Sequence, residues 1–424
     1  MVLKTLPLIL ALQVTLVTAY YADDLPPGPY CGKAPPYGGC CNGRLDRCSH
    51  HILDTLCYCD EFCSKNRQYD DCCPDYEPVC LGLTPGNITA PICRTGARKK
   101  NRCHECVCRD DSGIPDWYCD NDLCLMSDEV ILGINRGGHG WRADNYTQYS
   151  DKKLKDGLIY QLGTLPLDKM TQRMNPVQYH KNIAYPDEFD ARQRWPDFIS
   201  PIVDQGWCGS DWAVAIASIA SDRYAIQSNG AENVLLSPQS LLSCDRRGQL
   251  GCKGGHVDGA WHFTSKYGLV DLDCFPYTAS VTNCPYSIQG SLLQAGCRPL
   301  VSTRISKYRT SVPYKIEKEH DVMWDIMESG PIMAIMTVYQ DFFHYRDGIY
   351  RRSNFGDNTM SGLHSVKIIG WGVERGQKYW LVANSWGNNW GEDGYFRIAR
   401  GNNECDIERS LISGFSDVNE ARKK

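Results

Sequence analysis

The sequence lacks a strong charge of one sign and, beyond its first residues, any long apolar run. Its 45 Lys and Arg nearly balance its 50 Asp and Glu, which leaves a formal net charge of −5 on 424 residues. Such a balance gives no overall attraction to nucleic acid or acidic membranes. A membrane-spanning helix needs roughly 20 mostly apolar residues. We therefore expect no nucleic-acid partner and no transmembrane segment.

The N-terminus carries the one pronounced apolar run. It covers residues 5–17, follows the cation Lys4 and ends in small residues at Ala19. This pattern predicts a cleaved signal peptide over residues 1–19 and a protein secreted to the extracellular space. Two N-glycosylation sequons, at Asn87 and Asn145, fit that compartment.

Cysteine is concentrated near the N-terminus, where sixteen of the 23 cysteines lie between Cys31 and Cys124. Such density is typical of an oxidising compartment. The first block has little apolar content, so disulfides must hold it together. Its spacing C-x6-C-x8-C-x-C-x3-C-x8-C-C-x6-C resembles a somatomedin B domain, which implies a disulfide-bonded module over residues 31–80. The motif comprises Cys41, Cys48, Cys57, Cys59, Cys63, Cys72, Cys73 and Cys80, with Cys31 and Cys40 outside it.

The second block, residues 93–124, resembles half of a von Willebrand factor C module. Its six cysteines predict three disulfides, although C-x2-C-x-C beside His104 is also compatible with zinc. The basic stretch Arg98, Lys99 and Lys100 could bind a sulfated polysaccharide, be a protease cleavage site, or be a solvated loop.

Cysteines are absent from residues 127–184, which are polar but contain spaced aromatic residues. A free linker seldom carries so many aromatics, so we expect this region to pack on the domain C-terminal to it. A strand-like stretch is expected at residues 176–180. Residues 185–418 combine a long apolar helix with strand-like runs at 365–369 and 379–383, which predicts an α+β domain with a sizeable core.

The motif QGWCGSDW at residues 205–212 leads into that helix, which is expected to stop at Asn229-Gly230. Gly209 loosens the turn and Ser210 can cap the helix. Asp211 then lies in the first helical turn, where free backbone N–H groups stabilise an anion.

This motif resembles that of the papain family, cathepsin B in particular, which reads QGxCGSCW. The family nucleophile falls on Asp211. By the same resemblance His364 in GLHSV (362–366) matches the general base, Asn384 in NSWG (384–387) matches the group that orients it, and Gln205 matches the oxyanion-hole amide. The resemblance implies a papain-like fold with a helical lobe and a β-barrel-like lobe. WRADN at 141–145 similarly resembles a cathepsin B propeptide, here residues 127–184.

A carboxylate is a poor substitute for a thiolate. Asp211 has no proton to give to His364 at neutral pH, and its attack on a peptide carbonyl would form an anhydride that collapses backwards. We therefore expect a non-catalytic domain without metal or cofactor, in which a carboxylate–imidazolium pair preserves the shape of the site. The alternative is a residual hydrolase of unusual mechanism.

The resemblance also implies disulfides. It pairs Cys208 with Cys252 and expects two bonds among Cys244, Cys274, Cys284 and Cys297, which leaves Cys405 as a free thiol. Cathepsin B's occluding loop has no counterpart between Cys274 and Cys297.

The order of these modules resembles the tubulointerstitial nephritis antigen family. That resemblance implies an extracellular matrix glycoprotein, with laminin, type IV collagen and integrins as partners. It also leaves open a peptidase cleft retained as a peptide-sized groove.

Overall fold

The computed structural model describes residues 30–33, 40–43, 45, 48–52, 55–65, 72–81, 93–110, 115–179, 183–300 and 304–418. The expected signal peptide, Asn87 and residue 180 lie outside these ranges. The chain divides into two compact units: Met1–Ala97 with Val107–Tyr118, and Arg98–Cys106 with Cys119–Lys424.

The described part of the first block is held by disulfides around a small core of cysteines and Tyr76. Its elements are β1 (Ser49–Ile52) and β2 (Thr55–Tyr58), which form an antiparallel hairpin, and the short helices α1 (Phe62–Lys65) and α2 (Tyr76–Cys80). Five disulfides join Cys31 to Cys59, Cys40 to Cys80, Cys41 to Cys48, Cys57 to Cys73 and Cys63 to Cys72. The eight cysteines of the motif therefore do not form disulfides only with one another, because Cys31 is bonded to Cys59 and Cys40 is bonded to Cys80.

The second block contains the short strands β3 (Arg98–Asn101), β4 (His104–Arg109) and β5 (Asp116–Cys119). Its disulfides are Cys93–Cys108, Cys103–Cys124 and Cys106–Cys119. These bonds occupy all six sulfurs, so none of them is a thiolate available to zinc.

The larger unit contains the remaining helices and strands. Its helices are α3 (Asp128–Gly137), α4 (Leu154–Tyr160), α5 (Lys169–Gln172), α6 (Ala191–Arg194), α7 (Asp211–Gln227), α8 (Pro238–Cys244), α9 (Val257–Tyr267) and α10 (Glu319–Ser329). Its strands are β6 (Trp141–Ala143), β7 (Thr164–Leu165), β8 (Phe189–Asp190), β9 (Gly255–His256), β10 (Tyr314–Ile316), β11 (Ile332–Val338), β12 (Tyr345–Tyr350), β13 (Gly362–Glu374), β14 (Gln377–Ala383), β15 (Tyr395–Ala399) and β16 (Leu411–Ser413).

One mixed sheet forms the frame of this unit, with strand order β10-β16-β11-β13-β14-β15-β12-β6 and with β7 paired to both β13 and β9. β11 separates two hydrophobic cores. Ile332, Ala334 and Met336 belong to a core built mainly on the sheet, whereas Met333 and Ile335 belong to a core built on α7, α8 and α9. Because successive side chains of a strand point to opposite faces, β11 contributes apolar side chains to the cores of both lobes. The α+β class and the two-lobed fold are as predicted.

The helix α7 lies between the sheet and the other helices and is buried on nearly all sides. A helix that is apolar all round belongs in a core. It ends where Asn229 (φ 52°) and Gly230 (φ 81°) adopt left-handed backbone conformations, close to the predicted stop.

Residues 127–179 pack on this unit, as the spaced aromatics indicated. β6 pairs with β12, and Trp141, Tyr146 and Tyr149 are buried in the sheet core. The expected strand at 176–180 is not formed over the described residues 176–179. Tyr179 is instead fixed by side-chain contacts, with its N–H donating to Asp321 and its hydroxyl to Asp325.

Candidate active site

Asp211 is the first residue of α7 and is completely buried. Its Oδ1 accepts a hydrogen bond from the Gly163 N–H at 2.7 Å. Its Oδ2 accepts bonds from the Thr164 hydroxyl at 2.6 Å, the Ser365 N–H at 2.8 Å and His364 Nδ1 at 3.1 Å. The carboxylate is therefore held by four donors, all from outside its own helix.

His364 lies opposite Asp211 on β13 and is also completely buried. Its Nε2 is 2.8 Å from Asn384 Oδ1, and the Ser385 N–H donates to the same oxygen at 2.8 Å. Because that N–H fixes the orientation of the Asn384 amide, both ring nitrogens of His364 face oxygen atoms that can accept a hydrogen bond. This arrangement is compatible with the predicted carboxylate–imidazolium pair. Trp386 covers it, with ring centroids 5.0 Å apart.

Gln205 is buried beside this pair. Its Nε2 donates to the backbone oxygens of Cys208 at 2.9 Å and Gln161 at 3.3 Å, and its Oε1 accepts from the Ser385 hydroxyl at 2.5 Å. The amide that the resemblance assigns to an oxyanion hole thus already contacts a carbonyl oxygen of the chain itself.

Residues 161–165, named here the cleft segment, run between the two lobes. Thr164 pairs with Leu363 of β13 on one side and with Gly255 of β9 on the other. The Gly255 N–H donates to the Gly163 carbonyl at 2.8 Å. Among the described residues, the cleft segment therefore occupies the space between β13 and β9, where a peptide-sized groove was the expectation.

Two glycines allow the chain at the cleft segment to lie close to the turn that precedes α7. A Cβ on Gly163 would lie 1.8 Å from the Gly209 carbonyl oxygen, and a Cβ on Gly209 would lie 2.4 Å from the Ile159 carbonyl oxygen. Gly209 is therefore required by close approach rather than by a loosened turn. Ser210 does not cap α7 with its side chain, because its hydroxyl lies 2.5 Å from the Tyr277 hydroxyl.

Sulfur chemistry is absent from the Asp211–His364 pair in the described structure. Cys208 is bonded to Cys252, and the other disulfides of this region are Cys244–Cys284 and Cys274–Cys297. Cys405 is the free cysteine among the described residues. Burial, reinforced by the Glu404 carboxylate, raises the pKa of its thiol well above the usual range, which disfavours the reactive thiolate.

The structure brings Gln205, Asp211, His364 and Asn384 together, and it adds residues that sequence reasoning missed: Gln161, Gly163, Thr164, Tyr277 and Ser365. Gly163-Thr164 carries no recognisable motif. Its proximity to Asp211 depends on a contact between residues 48 positions apart.

Other predicted sites lie on the surface. Arg98, Lys99 and Lys100 are exposed along β3, and the Lys100 Nζ lies 3.1 Å from Asp151. Asn145 of the second sequon is exposed. Over the described residues, the helices are too short or too polar to cross a membrane.

A two-lobed fold with a histidine and an asparagine paired between the lobes is the papain-type architecture. The model of the papain family of cysteine proteases matches residues 185–415. Procathepsin B S9 from Trypanosoma congolense superposes with a TM-score of 0.58 at 32% identity, covering 69% of this chain and 99% of that one.

Similarity to two relatives extends over most of the chain. Tubulointerstitial nephritis antigen-like of Mus musculus is 37% identical, covering 92% of this chain and 89% of its own. Tubulointerstitial nephritis antigen of Homo sapiens is also 37% identical, over 92% and 88%. Cathepsin B-like cysteine proteinase 5 of Caenorhabditis elegans is 39% identical over only 60% of this chain. The chain therefore belongs to the papain family and, within it, to the tubulointerstitial nephritis antigen group.

Proposed function

We propose that this chain is a secreted, non-catalytic protein of the extracellular matrix, in which the papain-like domain has a structural or binding role. The observation that carries the proposal is the buried Asp211 carboxylate at the start of α7, held by four donors and facing His364. In this proposal Asp211 occupies the position of the family's nucleophilic cysteine.

The chemistry of the pair argues against acyl transfer. Attack of a carboxylate on a peptide carbonyl would form an anhydride that collapses backwards, so Asp211 cannot replace a thiolate as the acyl acceptor. A carboxylate satisfied by four hydrogen bonds is also a poor nucleophile, because attack would break those bonds. Residual hydrolysis by an unusual mechanism is the competing function, and turnover of a general cathepsin substrate distinguishes the two.

Secretion is supported by cysteine chemistry. Eleven disulfides link all the described cysteines except Cys405. Such a density is typical of an oxidising compartment. N-glycosylation at the exposed Asn145 belongs to the same proposal.

Partners are proposed from the family and from charge. Laminin, type IV collagen and integrins are partners that the family resemblance implies. A sulfated polysaccharide fits β3, because Arg98, Lys99 and Lys100 are consecutive, exposed cations on an extended backbone.

The test uses the full-length secreted protein. Binding to immobilised laminin, type IV collagen and heparin is measured for wild type and for Arg98→Ser/Lys99→Ser/Lys100→Ser. A control of equal charge change, Arg246→Ser/Arg247→Ser/Lys253→Ser, removes three other cations. We expect the β3 variant to elute from heparin at lower salt than the control. Equal elution of the two variants argues against β3, and no binding to any of the three ligands argues against the matrix role.

A further inference from the structure

The contacts of Asp211 assign it a role beyond the absence of catalysis. We propose that the Asp211 carboxylate is the contact that holds the cleft segment between the lobes, so that the cleft stays closed to peptides and residues 127–179 remain an integral part of the folded unit. This inference does not depend on the matrix role or on the identity of any partner.

Half of the hydrogen bonds of Asp211 come from the cleft segment. The Gly163 N–H donates to Oδ1 and the Thr164 hydroxyl donates to Oδ2. Since the single proton of the Thr164 hydroxyl goes to Asp211, the Ser365 hydroxyl 2.6 Å away must donate to Thr164. The carboxylate therefore links α7, the cleft segment and β13 through a fully ordered network.

The two oxygens of a carboxylate are necessary for this arrangement. Oδ1 and Oδ2 point to different neighbours, and hydrogen bonds to an ionised acceptor are stronger than neutral ones. A cysteine at this position has one sulfur and would not satisfy the Gly163 N–H, Thr164 and Ser365 together. Aspartate thus removes the nucleophile and secures the segment that covers the site.

The chain holds the cleft segment at further points. The Gln161 side chain donates to the Gly206 carbonyl at 2.7 Å, and the Gln161 carbonyl accepts from Gln205. Gly163 lies so close to Gly209 that no side chain fits between them. A peptide can enter only if the whole segment leaves.

Hydrogen exchange of the peptide covering residues 158–168 tests the proposal in the full-length protein. In Asp211→Asn the amide presents N–H donors where Asp211 accepts bonds, and we expect exchange at least about 10-fold faster than in wild type. The matched control is Tyr179→Phe, which removes the 2.8 Å bond to Asp325 in the same region but away from the cleft. It should leave exchange of residues 158–168 unchanged.

If hydrogen exchange of residues 158–168 is accelerated equally in the two variants, or is not accelerated in Asp211→Asn, the proposal is overturned. Asp211 would then not specifically stabilise the position of the cleft segment. Near-UV circular dichroism verifies folding. Should Asp211→Asn fail to fold, Thr164→Val removes one of the two bonds between the cleft segment and Asp211, together with the Ser365 bond to Thr164, and we expect exchange about 3- to 10-fold faster.

A second measurement reports on closure itself. Fluorescein-labelled peptide of sequence LIYQLGTLPLD, residues 158–168 of this chain, is titrated onto wild type and Gly163→Ala. The added Cβ would clash with Gly209 and displace the segment, so we expect binding to the variant and none to wild type. Saturable binding to wild type, or none to the folded variant, contradicts a cleft closed by this segment.

Discussion

His344 gives the most quantitative prediction, because it is a completely buried histidine held as a neutral ring. Its Nε2 accepts the Ser127 N–H at 2.9 Å, and its Nδ1 lies 3.1 Å from the Gln340 carbonyl oxygen. The ring therefore carries its proton on Nδ1 and anchors the residue that caps α3. Burial lowers its pKa from 6.5 to about 4.

The size and sign of the effect follow from proton linkage. Between pH 6.5 and about pH 4 the histidine is protonated in the unfolded chain but neutral in the folded chain. The free energy of unfolding therefore falls as the pH is lowered through this window. At 1.36 kcal/mol per pH unit the difference is about 3 kcal/mol. The contribution is fully present above 6.5 and lost below about 4.

The assay is guanidinium unfolding, followed by tryptophan fluorescence at pH 7, 5.5 and 4. His344→Gln removes the titrating group and serves as the reference for all other groups. We expect wild type to lose about 3 kcal/mol more stability than the variant between pH 7 and pH 4. Parallel pH dependence of the two proteins would refute the neutral, buried state of His344.

Two further predictions concern buried groups. Lys367 donates to Asp222 at 2.7 Å in the core. Lys367→Met leaves the buried Asp222 carboxylate without its cation, and it should lower the free energy of unfolding by about 3–5 kcal/mol in guanidinium titrations. A loss under about 1 kcal/mol would contradict this prediction. Cys405 should react with Ellman's reagent slowly in the native protein and fully after denaturation, because its pKa is raised; rapid native reaction at pH 7.5 would show a thiolate that the structure does not support.

The fold was predictable because its signals are local. The apolar residues of α7 identify a buried helix, and the runs at 365–369 and 379–383 lie within β13 and β14. The four motif residues Gln205, Asp211, His364 and Asn384 could be located by family resemblance, since each lies in a short recognisable motif.

The cleft segment could not be predicted, because its position depends on distant backbone contacts. Nothing in Gly163-Thr164 indicates a partner at Asp211, and a short β7 strand of two residues has no periodicity to read. Similarly, residues 176–179 alternate like a strand, but the Val177 N–H bond to the Lys315 carbonyl of β10 does not extend into a strand, and Tyr179 bonds to side chains of α10. Long-range pairing overrides local pattern in both places.

Asp211 at the nucleophile position is expected to prevent catalysis even when the cleft segment is displaced. This expectation is tested by turnover of a general fluorogenic cathepsin substrate by wild type, Gly163→Ala, and Gly163→Ala combined with Asp211→Cys. We predict no turnover by the first two, although the second has its cleft segment displaced, and measurable turnover once the cysteine is restored. Turnover by Gly163→Ala that His364→Ala abolishes would show that the aspartate site catalyses hydrolysis and would contradict the account.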